Sequence, residues 1–187
     1  MDDIRAERNL RASLKRACAE EHDRLDRMVS RLDLCSTTHY RQFLTMQLSA
    51  RAPIERWALR HCPDTTRPPP MVPLLLEDLA ELGEPFSVPR RNFHMPDGAD
   101  PLGMAWALAG SQMGNRAILT RMRKAGASTA ATRFLSDDAM TGFWNRLRPT
   151  IEQAADPAQV NAASMAARAV FACFAEAAQA EQDRLAA

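Results

Sequence analysis

Apolar residues recur three and four apart along almost the whole chain, and runs that alternate apolar with polar are almost absent. That period belongs to helices that bury one face, since 3.6 residues complete a turn, whereas a half-buried strand hides every second residue. Val and Ile are scarce, Tyr occurs once, and Ala, Leu, Arg and Met are plentiful, which are mostly residues that favour helices. The expected fold class is all-α, a compact array of about seven helices.

The first helix is predicted from about Ile4 to Leu32. Its stripe is Leu10, Leu14, Cys18, Leu25, Val29 and Leu32, with a longer step after Cys18. A second helix should start after CSTT, where Ser36 or Thr37 can accept bonds from free backbone N–H groups. It carries Tyr40, Phe43, Leu44, Met46 and Leu48 and continues through Ile54, Trp57 and Leu59, with a bend or break expected at Pro53. Pro63 to Pro73 read as a stiff connector. LLLEDLAELG reads as a short helix ended by Gly83, and GEPFSVPRRNFHMPDGAD as an irregular loop. Asp100 and Pro101 open the next helix, proline being pre-shaped for its first position, and that helix ends near Gly126. Two more are expected, Asp137 to Ala155 with a bend at Pro149, and Ala158 to Leu185. No repeat and no boundary divides residues 1–187, so the chain reads as one domain, long enough to bury a core without disulfide or metal staples.

A formal net charge of +1 argues against a general binder of nucleic acid or of membrane surfaces. No stretch approaches the roughly 18 apolar residues of a membrane span. The start MDDIRAERNLR lacks the basic end and apolar core of a secretory signal, so the expected location is cytoplasmic. Cys18, Cys35, Cys62 and Cys173 are scattered without CxxC pairing. They are expected to be free, largely buried thiols.

Two features carry chemistry. On the helix that begins at Asp100, Gly103, Ala107, Gly110 and Gly114 recur at spacings of four, three and four, with Ser111 beside them. Each interior glycine costs about 1 kcal/mol against alanine, yet one face is left almost without side chains. Such a face suits either close packing of another helix or close approach of a flat, bulky ligand. The second feature is His22, which fills the long step between Cys18 and Leu25. It is either a buried, hydrogen-bonded histidine or a metal ligand, imidazole being suited to iron. Cys18 could join it at i, i+4, but no further ligand pair supports a zinc or di-metal site. Together, one imidazole on a long helix and a stripped face on another would suit a haem, a flat apolar disc with one axial ligand.

The segment LKRACAEEHDRLDRMVSRLDL, followed by YRQFL, resembles the N-terminal helices of haem oxygenases, particularly the bacterial biliverdin-producing branch. LGMAWALAGSQMGNRAI resembles that family's distal helix, with Gly110, Ser111, Gly114 and Arg116 matching position for position, and FWNRLRPTI resembles a later helix. The resemblance covers nearly the whole chain, in compatible order. It implies a haem oxygenase-like fold with b-type haem, both cofactor and substrate, between the first helix and the glycine helix. His22 would ligate the iron, and Gly110, Ser111 and Gly114 would form the catalytic wall, with ordered water near Ser111. Dioxygen and electrons from an external reductase or ferredoxin would convert haem to biliverdin, carbon monoxide and ferrous iron. A bilin-binding photoreceptor is one recipient of that product; iron release is the other use. Lys15 and Arg148 would meet the propionates, or are solvated surface charges.

The departures are Trp106 and Ala109, where the family has tyrosine and glutamate, and Asn115, where it has a second glycine and which adds a side chain beside the pocket. They leave open a catalytically inactive haem-binding or regulatory protein of the same fold. A helical interaction protein that uses the small face only for packing is the third reading.

Overall fold

The computed structural model describes residues 9–83, 91–127 and 131–186. These form α1 (Leu10–Ala17), α2 (Ala19–Val29), α3 (Thr37–His61), α4 (Val72–Glu81), α5 (Pro101–Lys124), the single turn α6 (Arg133–Ser136), α7 (Ala139–Ile151) and α8 (Pro157–Ala186). No strand is present among the described residues, so the fold is all-α, with seven helices of eight residues or more beside the one turn. No described helix is long and apolar enough to cross a membrane.

The expected first helix is two. Residues before Asn9 lie outside the described part, and the remainder divides at Cys18, whose φ of −110° and ψ of 16° leave the helical region. A tertiary contact explains the division. Arg168 of α8 donates to the Ala17 carbonyl at 2.7 Å, which gives the interrupted ladder a partner. Asn9 caps α1, its Oδ1 accepting from Ala12 N at 2.7 Å. Ser36 stands at the N-cap of α3 in extended backbone, but its hydroxyl makes no capping bond.

Proline is treated differently in two helices. α3 runs through Pro53 without the expected break, although the missing N–H leaves the Ser49 carbonyl without its helical partner. Ala50, Arg51, Ala52, Pro53 and Ile54 are all buried, and that tertiary packing holds the turn. α7 instead ends at Ile151, two residues past Pro149 and short of Ala155. There the chain is claimed by α1: Leu10 N donates to Gln153 O at 3.1 Å, beside a bridge between Asn9 and Ala154.

Two short elements are started by carboxylates from other helices. Glu55 of α3 accepts from Met71 N at 3.0 Å and Val72 N at 3.2 Å, so α4 begins at Val72, ahead of the expected Leu74. Burial pushes the Glu55 carboxyl up, against the pull of Arg51 and these two N–H groups. Asp78, fully buried, accepts from Arg133 N at 3.0 Å and Phe134 N at 2.9 Å and holds α6, a turn the sequence did not announce.

α5 follows its local signals. Asp100 Oδ1 accepts from Leu102 N at 2.9 Å, and Pro101 takes the first turn. The helix ends with Gly126 at φ 68°, Gly126 N bonding Arg123 O at 3.1 Å and Ala127 N bonding Met122 O at 3.0 Å. α8 is the central column, packed on α1, α2, α3 and α5, while α5 also carries α6 and α7. At the crossing of α5 and α8 a side chain at Gly103 would place its Cβ 1.8 Å from the Ala163 carbonyl oxygen. Backbone meets backbone there.

Candidate functional site

The small-residue face of α5 is not one surface. Gly103 is sealed against α8, and Ala107 is buried. A Cβ added at Gly110 or Gly114 would meet nothing within 4 Å. Gly110 is half-buried and Gly114 exposed, with Met113 beside them 68% exposed. Close helix packing therefore explains the first part of the stripe and leaves the second part unexplained.

Ser111 lies against the core side of this open stretch. Its hydroxyl donates to the Leu108 carbonyl at 2.7 Å and accepts from Arg51 Nη2 at 2.9 Å. Arg51, on α3, is 1% exposed; its Nε donates to Gln47 Oε1 at 3.2 Å. The guanidinium lies 5.2 Å from the centre of the Phe134 ring and 5.9 Å from that of Phe174. Burial lowers its pKa to about 10, opposed by Glu55 one turn on, so it stays charged near neutrality. Its Nη1 is buried without a partner. Sequence reasoning passed over Arg51; the available signal was one arginine inside the apolar run LSARAPI, four residues before Glu55.

His22 is exposed on α2, not buried in its stripe. Its Nδ1 faces Asp26 Oδ2 at 3.3 Å and Asp23 Oδ1 at 3.9 Å. The ring meets Phe171 of α8 edge-on, centroids 6.0 Å apart, and Phe171 meets Trp106 of α5 edge-on at 6.4 Å. One phenyl ring thus links the histidine helix to the glycine helix, with Trp106 one turn before Gly110. A carboxylate on Nδ1 is the usual arrangement behind a ligating Nε2, which it orients and makes more basic. Among the described residues no three His, Cys, Asp or Glu side chains gather to hold an ion. Cys18 is buried at the division between α1 and α2 whereas His22 is exposed, and burial, then Glu21, pushes the Cys18 thiol up to about 11. A metal at His22 must bring its other ligands with it, as a porphyrin iron does; in that respect the residues present fit haem.

Two expected neighbours of the site are engaged elsewhere. Asn115 does not project beside the open glycines: it is buried, its Nδ2 donating to Gln112 Oε1 at 3.2 Å, and Gln112 in turn donates to Asp137 O at 2.8 Å. Arg148 is exposed and bonded through Nε to Glu152 Oε1 at 3.0 Å, a carboxylate it shares with Arg11 of α1. Its pairing belongs to the seam between α1 and α7. Lys15 is exposed on α1, the helix before the one that carries His22. Arg116 is likewise structural, paired with Asp138. Comparison with protein-family models, with curated proteins and with solved structures gives no match to this chain, so the haem oxygenase resemblance rests on its sequence motifs alone.

Proposed function

We propose that the chain is a haem oxygenase, in which haem would lie between α2 and α5 and His22 Nε2 would hold its iron. The observation that carries this reading is the open face at Gly110 and Gly114, two helical glycines whose cost no packing repays. Bound haem would supply both the metal that activates dioxygen and the ring that is opened to biliverdin, carbon monoxide and ferrous iron, with electrons from an external reductase or ferredoxin. The chain's own part is positional. Asp26 orients the imidazole, Phe171 and Trp106 offer apolar contact to a flat ring, and Arg51 holds α5 in place through Ser111.

A second reading, haem held without ring opening, is favoured by one observation. The Ser111 proton is committed to the Leu108 carbonyl, so that hydroxyl has no donor left for a water beside the open glycines. One absorption time course separates the two: protein mixed with hemin, then with ascorbate or a ferredoxin system in air, for the wild type and for His22→Ala. A His22-dependent Soret band that decays into a broad red bilin absorption is the expected result. A stable His22-dependent band supports the second reading, and no band in either protein ends both.

A further inference from the structure

Among the described helices of eight residues or more, each buries at least two side chains except α2, which buries none. From Ala19 to Asp33 no residue is buried, whereas Cys18 before them and Leu34 after them are each 1% exposed. The segment is anchored at both ends and loose between them. α2 packs mainly on α8, and its Leu25, Met28 and Val29 are only partly buried against the core. At Cys18 the backbone leaves the helical region, so no continuous helix stiffens the base of α2. Among the described residues one polar bond joins α2 to α8, from Arg168 Nε to Glu21 Oε1 at 3.1 Å. The same guanidinium donates through Nη2 to the Ala17 carbonyl at 2.7 Å, on the other side of the division. One arginine thus grips both sides of the joint at Cys18.

From this we infer that α2 is a flap, which opens as one unit between Cys18 and Leu34 while the other helices stay folded, and that Arg168 is the latch that holds it shut. Elements with few buried apolar contacts open at the lowest free energies in a fold, and hinge motion concentrates at the ends of elements. Here the two hinges are the buried anchors, and the segment between them has little apolar surface to lose. Opening carries His22 away from Phe171 and uncovers that ring, which is 8% exposed in the closed chain. The inference does not rest on the haem reading: it concerns how the helix bearing His22 is held, and its test uses the chain without hemin.

The test is native-state hydrogen exchange of the full chain in the wild type, Arg168→Gln and Glu21→Gln. Amides from Asp23 to Val29 are expected to share one opening free energy, with protection at least about a hundredfold weaker than that of Leu44 and Leu48 in α3. Arg168→Gln should speed exchange in α2 about tenfold and Glu21→Gln about threefold, with α3 unchanged in both. Glu21→Gln removes only a half-exposed ion pair, so it decides the question even where loss of the Ala17 bond unfolds the chain. Protection of α2 equal to that of α3, a separate opening free energy for each α2 amide, no acceleration of α2 in either variant, or an equal acceleration of α2 and α3 would each overturn the inference.

Discussion

Gly103 and Gly114 occupy one face of one helix, yet they do opposite things. At Gly103 the Ala163 carbonyl of α8 fills the place a methyl would need. At Gly110 and Gly114 that place is empty. The first glycine is required by the fold; the other two weaken their helix without any packing return. A stripe of small residues is therefore two devices joined end to end, and only the second points to a ligand.

The largest effect should come from the packed end. Gly103→Ala should cost about 3 kcal/mol or more, read as a lowered denaturation midpoint at unchanged slope, since neither backbone can yield easily. A tolerated Gly103→Ala would erase the contrast. Next comes the link between the open stretch and the core. Arg51→Met removes the donor to Ser111 and Gln47 and leaves the half-buried Glu55 without its nearby cation. A loss of about 2–4 kcal/mol in the same measurement is expected; no loss would mean that α5 needs no such anchor. The smallest effect has the opposite sign. Gly110→Ala and Gly114→Ala should each raise stability by about 0.5–1 kcal/mol while weakening hemin binding or slowing bilin formation. Destabilisation by either would show that this face is packed after all.

How legible these features were depended on how local their causes are. Asp100, Pro101 and Gly126 act within a turn of themselves, and α5 starts and ends where they indicate. The division at Cys18 needs Arg168, which is 150 residues further along the chain than Cys18. The early start of α4 needs Glu55, and the turn α6 needs Asp78. Asn115 reads as an intrusion beside the pocket because the family the chain resembles has a second glycine there; one residue is about 100° around a helix, enough to turn the amide toward Gln112 instead. Arg51 escaped notice because a charge inside an apolar run has no meaning until the partner helix supplies Ser111.

By itself the sequence determined the helical class, the limits of α5, and the presence of a small-residue face and a histidine helix, because periodicity and capping depend only on residues within a few positions. Tertiary structure alone decided which glycines are packed, that Pro53 is tolerated, that the first helix breaks, and that Phe171 stands between His22 and Trp106. Each of these depends on which distant backbone crosses at that point, and a 3.6-residue period says which face is buried but not what will lie against it.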